Sequence, residues 1–214
     1  MGPAGAQPRG ALADVLARAG AGLGGLALAV ALTGWAATPR PELLIAGDGK
    51  LAGLLGGPDG LRGLSKAKGA GFVAQSWLEN DGDMVEQAEA AERAGFSGTT
   101  ARRAFRVAGR PAVLLAGKTA EASFAEACAA AALVVIDAPR PAQSGPCLVI
   151  DAALLEKTGP LAIRAGENGL DLTATRAPKA RLWSGTHRDS ADWQHARWAW
   201  PEAAVRRAGT QAPR

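Results

Sequence analysis

The 214 residues include only two histidines, His187 and His195, both near the C-terminal end. A dinuclear hydrolytic centre needs several His and Asp ligands converging from strand ends, and this chain cannot supply them. A zinc site assembled from Cys128, Cys147, His187 and His195 would lack the short ligand spacings that preorganise such centres. Glu79, Asp81, Asp83 and Glu86 form an acidic cluster that could attract a hard cation. The further oxygen ligands of a calcium loop are missing, and a turn followed by a helix cap accounts for the same residues. Ala116-Gly117-Lys118-Thr119 is like the end of a phosphate-binding loop, but the glycine required five positions before Gly117 falls on Ala112. A strand-to-helix turn with Thr119 as N-cap explains that tetrapeptide. There is no Gly-x-Ser-x-Gly elbow, and neither cysteine lies near a histidine in sequence. These residues point to no catalytic residue, no metal and no cofactor.

Binding chemistry is better represented. Trp183, Trp193, Trp198 and Trp200 are interspersed with Arg181, Arg188 and Arg197. Indoles among guanidinium groups can stack on bases or settle at a membrane surface; a solvated basic end is the plainer reading. The charge is unevenly placed. From Arg40 to Thr175 there are 14 Lys and Arg against 16 Asp and Glu, whereas from Arg176 onward there are 8 against 3. The net charge of +4 therefore belongs mostly to the end of the chain. Cys128 and Cys147 could form one disulfide in an exported domain or be two buried thiols.

These groups must be positioned by elements that the patterning suggests. Residues 1–18 form an N-terminal segment, and no residue between Arg18 and Arg40 is charged. That interval, 19–39, is close to the roughly 20 residues needed to cross a bilayer, with Trp35 suited to an interface. A transmembrane helix is the expectation; a signal peptide and a buried helix are the rivals. Arg9 and Arg18 before the segment favour an N-terminus inside, which puts the following domain outside the cytoplasm.

Residues 40–183 read as a soluble α/β domain, a mixed β-sheet with flanking helices, and residues 184–214 as a basic, disordered tail. Apolar runs at Leu43–Ala46 and Leu51–Leu55 flank Asp48-Gly49, a hairpin signature. Leu61–Ser65 suggests a third strand, and Met84–Arg93 a helix with Asp83 as N-cap. Strands are expected at Phe105–Ala108, Ala112–Ala116, Leu133–Ile136 and Leu148–Ile150. Helices are expected at Thr119–Ala132 and, capped by Asp151, at Ala152–Lys157. A last hairpin spans Leu161–Ile163 and Leu170–Ala174.

The block Gly71-Phe72-Val73-Ala74-Gln75-Ser76-Trp77-Leu78-Glu79-Asn80-Asp81-Gly82-Asp83 resembles one near the C-terminus of ComEC-type competence proteins of alphaproteobacteria. Within it, Trp77, Glu79, Asp81 and Asp83 form a family-like motif of unknown role. Glu126-Ala127-Cys128, Cys147-Leu148-Val149-Ile150-Asp151, Thr158-Gly159-Pro160-Leu161-Ala162 and Arg181-Leu182-Trp183 follow in similar order. The resemblance spans roughly Leu26 to Trp183. It implies a last transmembrane helix followed by a degenerate metallo-β-lactamase-like domain of an inner-membrane channel for single-stranded DNA, facing the periplasm. The partners it implies are the rest of that channel, the membrane and single-stranded DNA. Fuller members carry histidine-rich metal motifs; after Ile136 this chain reads Asp137-Ala138-Pro139-Arg140 instead. It resembles only the end of such a protein. The resulting expectation is a non-catalytic accessory domain of a DNA-uptake channel. Two alternatives stand beside it: a metal-dependent hydrolase using Asp and Glu ligands, and an exported structural domain with no nucleic-acid role.

Overall fold

The computed structural model describes residues 24–34, 39–56, 60–142, 145–175 and 195–201. The chain divides into two units, Met1–Arg40 and Pro41–Arg214. In the first, helix α1 covers 24–34 with all its residues exposed, Leu26, Leu28, Val30 and Leu32 among them. Among the described residues no helix is long and apolar enough to cross a membrane. The remainder of the expected span, 19–23 and 35–38, lies outside the described residues, so the transmembrane helix over 19–39 is not seen.

The second unit is a mixed α/β structure with two sheets where the patterning suggested one. Six antiparallel strands form sheet A in the order β11-β10-β9-β1-β2-β3. They are β1 (Leu43–Ile45), β2 (Ala52–Leu55), β3 (Arg62–Leu64), β9 (Leu161–Ala165), β10 (Gly169–Ala174) and β11 (His195–Ala199). Sheet B runs β4 (Ser97–Thr99), β5 (Arg102–Val107), β6 (Arg110–Leu115), β7 (Leu133–Ile136) and β8 (Leu148–Ile150). Its first three strands are antiparallel and its last three parallel. The helices are α2 (Gly71–Asn80), α3 (Gln87–Glu92), α4 (Ala120–Ala130) and α5 (Ala152–Thr158).

Burial defines the layers. Leu43, Ile45, Ala52 and Leu54 from sheet A share one core with Phe105, Val107, Leu114, Leu133 and Val135 from sheet B. The alternate residues of sheet B, Val113, Leu115, Val134 and Ile136, pack on Phe124 and Ala127 of α4. On the far side of sheet A, Leu51 and Leu64 meet Ala74 and Leu78 of α2 and Ala90 of α3. The order is helix, sheet, sheet, helix. Strand β7 is apolar throughout because both of its faces are covered, which a run of β-branched residues satisfies. Gly53 is required by close approach: a Cβ there would lie 2.9 Å from Arg62 Cδ and 3.0 Å from the Trp77 ring. The β1–β2, β5–β6 and β9–β10 hairpins and helices α4 and α5 fall where patterning put them.

Residues Gly71–Asn80, to which the patterning assigned no element, form helix α2, with Phe72 exposed. Two expectations need correction. The helix expected at Met84–Arg93 is confined to Gln87–Glu92 with Glu86 at its N-cap. Asp83 does not cap it: it lies three residues before Glu86, its carboxylate bonded to Arg93 and to the Val85 N–H. Part of the expected disordered tail is ordered: β11 pairs with β10, setting Asp171 opposite Arg197 and Leu170 opposite Trp198. A Cβ at Gly169 would collide with the Trp198 carbonyl oxygen, so glycine lets the added strand approach.

Candidate functional site

Strands β6, β7 and β8 are parallel, so their C-terminal ends open on one rim, the ordinary place for a ligand in sheets of this kind. Three loops and the β1–β2 turn meet there; a Cβ at Gly49 would lie 3.3 Å from Asp137 Cα. Each rim carboxylate is engaged by backbone N–H groups. Asp137 Oδ2 accepts from Gly117 at 2.9 Å, tying the loops after β6 and β7 together. Asp151 Oδ1 accepts from Leu154 at 2.8 Å, capping α5, and its Oδ2 accepts from Arg140 at 3.0 Å. Asp48 Oδ1 accepts from Lys50 at 3.0 Å within its own turn. Among the described residues no three His, Cys, Asp or Glu side chains converge as a metal site would require. The Gly117-Lys118-Thr119 segment is a strand-to-helix turn, and Thr119, although at the N-cap of α4, makes no side-chain cap bond.

The acidic motif lies on the opposite side of sheet A, where its carboxylates serve two arginines. Arg62 is fully buried under α2; its Nε donates to Asp81 Oδ2 at 2.6 Å and its Nη1 to the Gly53 carbonyl at 3.1 Å. Nη2 reaches the Pro41 carbonyl at 3.3 Å. Arg93 bonds both Asp83 and the Arg62 carbonyl, so the two pairs interlock. The Arg93 hydrogen bond holds the Asp83 carboxyl below the usual carboxylate range, against the opposing effect of burial. Trp77 and Arg62 both close on Gly53, where a Cβ would meet Arg62 Cδ at 2.9 Å and the Trp77 ring at 3.0 Å. Glu79 accepts from Gln75, at 3.1 Å on the exposed side of α2. The four acids do not converge. Arg62 and Arg93 were missed in the sequence because neither is near the motif in a spacing that announces pairing.

Cys128, in the last turn of α4, and Cys147, just before β8, form a disulfide. Of the residues expected to contact nucleic acid or membrane, Arg181, Trp183, Arg188 and Trp193 lie outside the described residues. Arg197 is exposed on β11 and stands 3.6 Å from Asp171. Trp198 is half-buried against the core. Trp200 is buried, with the Arg110 guanidinium 5.6 Å from its ring centroid, and is therefore not available to stack on a base. An open groove of about 530 Å³ runs between the β8 and β11 edges, lined by Arg140, Leu148, Leu154, Arg197 and Trp198. Comparison with family models, curated proteins and solved structures finds no match for this chain.

Proposed function

We propose that this chain is an accessory domain of a DNA-uptake channel of the ComEC type, built as a degenerate metallo-β-lactamase-like sandwich and without hydrolytic activity of its own. The observation that carries the reading is the helix–sheet–sheet–helix layering, with a rim at the ends of β6–β8 whose carboxylates are bonded to loop N–H groups. A hydrolase on such a scaffold would hold a metal at this rim. The donors present do not fit one: Asp48 closes its own turn, Asp137 ties two loops, Asp151 caps α5, and no described histidine, cysteine or further carboxylate joins them.

The Cys128–Cys147 disulfide supports a place outside the reducing cytoplasm, and the uncharged segment 19–39 supplies the membrane anchor. The domain packs with the channel's other helices and contacts the incoming single strand through its phosphates.

The test is the metal content of the purified full chain, together with its binding to a labelled single-stranded oligonucleotide across a salt series. The reading expects no retained stoichiometric metal and a binding that weakens steeply with salt. Bound metal with chelator-sensitive nuclease activity would replace it with the hydrolase. Absence of both metal and DNA binding would leave an exported structural domain.

A further inference from the structure

Helix α4 covers only half of the outer face of sheet B, the half formed by β6 and β7. Over β4 and β5 that face is open. Directly opposed residues of antiparallel strands share a face, so Ser97 and Ala104, Thr99 and Arg102 point the same way, with Arg106 two residues further along β5. Ala104 is exposed, and so are Ser97, Thr99 and Arg106. The open face thus holds two hydroxyls and two guanidinium groups, with no exposed apolar side chain larger than alanine on either strand. Phe105 and Val107 point the other way, into the core.

Charge reinforces this geometry. Between Glu92 and Glu121 the chain carries Arg93, Arg102, Arg103, Arg106, Arg110 and Lys118 and no acid. Arg103 donates to the carbonyls of Ser65 and Gly98, and Arg106 to that of Gly109, bonds that orient a guanidinium without neutralising it. Among the described residues, Arg102 alone on the open face has a carboxylate partner, Glu126 of α4, at 2.9 Å in an exposed pair that water and salt can loosen. Ala116 bonds the Ala101 carbonyl, which sets the Gly117-Lys118 turn beside the start of β5. Arginines placed to guard a sheet edge would stand on the edge strand itself, but β4 is Ser-Gly-Thr and the charge lies one strand in.

We propose that the open β4–β5 face, through Arg102, Arg106 and the Ser97 and Thr99 hydroxyls, seats the phosphodiester backbone of single-stranded DNA. This rests on the reading of the chain as a DNA-uptake domain and names the surface that reading left open. Guanidinium forks suit phosphate oxygens, and hydroxyls add contacts that carry no sequence information. The absence of exposed aromatic side chains on this face predicts binding indifferent to base sequence. It also argues against a lipid surface, which would recruit apolar anchors.

The experiment measures binding of the full chain to a labelled oligothymidylate across a salt series. Arg102→Gln/Arg106→Gln is compared with Arg181→Gln/Arg188→Gln, which removes the same charge from the basic segment near the end of the chain. The first double variant should weaken binding at low salt by about tenfold or more and reduce the log–log salt slope by about 1.4, two single-strand phosphate contacts. Glu126→Gln, which frees Arg102, should tighten binding about twofold. Circular dichroism melts confirm that each variant folds.

Undiminished binding by Arg102→Gln/Arg106→Gln, with loss in the other double variant, overturns this seat while leaving a DNA-binding domain. The same holds if the first variant loses affinity for phosphatidylglycerol vesicles and keeps it for oligothymidylate. No binding by the unaltered chain at any salt brings down both the seat and the function on which it rests.

Discussion

Under α2, Arg62 is sealed from water with its guanidinium held by Asp81 and two carbonyls, whereas on the far side of the sandwich Arg106 stands exposed with one carbonyl as partner. Both lie on outer sheet faces, and both are arginines. What separates them is the cover. On sheet A the helix descends onto the arginine, so the charge must be met inside by a carboxylate or carry the full cost of desolvation. On sheet B the helix stops at β6, and the charge keeps its water. The first arrangement is committed to holding the fold; the second can exchange its partner.

That contrast can be broken most severely at the buried pair. Asp81→Ala leaves Arg62 buried without its counter-charge and should cost about 3–5 kcal/mol in urea denaturation. If the loss were under 1 kcal/mol, the pair would be no clamp. Replacing both partners, Arg62→Met with Asp81→Leu, should restore much of it, since the apolar pair leaves no charge stranded.

Sheet B's helix is held by a covalent link instead. Cys128→Ser/Cys147→Ser should lower stability by about 3 kcal/mol, the loop-closure contribution expected for a bridge of this span. Thermal melts with and without reductant would show the same difference in the unaltered chain and none in the variant.

A smaller effect belongs to Asp83. Its carboxyl is depressed in the folded state by the Arg93 hydrogen bond, so in acid the unfolded chain takes up its proton first. The stability it contributes is complete above the ordinary carboxylate pKa and is lost as pH falls through the lower folded value. Asp83→Asn should flatten that acid limb; an unchanged limb would mean that Asp83 is not its source. Smallest of all, Arg106→Gln should change stability by no more than about 0.5 kcal/mol, as a solvated surface position does. A larger loss would make Arg106 part of the fold after all.

Local chemistry was legible in the sequence. Asp48-Gly49 announced its hairpin, the Leu133–Ile136 run its doubly covered strand, and Asp151 its helix cap, because each depends on residues within a few positions. Asp83 shows the limit. It stands where an N-cap was expected, with Glu86 at the right spacing, yet the N-cap falls three residues later, on Glu86 itself, and the Asp83 carboxylate is shared between Arg93 and the Val85 N–H. The number of sheets was hidden for a related reason: the Leu43↔Ile163 pairing joins segments separated by all of sheet B, and no local pattern encodes it. At the candidate site, Trp200 was visible as an aromatic among cations, but its burial depends on β11 reaching β10. Arg102 and Arg106 escaped notice as a binding surface because a charge count over the whole domain averages them against the paired acids of the other face.

The interleaving of sheet A has a consequence for how the molecule is made. Strands β1–β3 are synthesised first, but β1 meets β9 only after the five strands of sheet B exist, and β10 gains its outer neighbour later still. Until then one side of β1 is an unpaired apolar edge, a template for the wrong strand. The chain carries that edge ahead of the segments that close it. Its biogenesis therefore depends on keeping β1 solitary until β9 arrives, so factors that shield emerging strands should govern yield more strongly than changes in native stability.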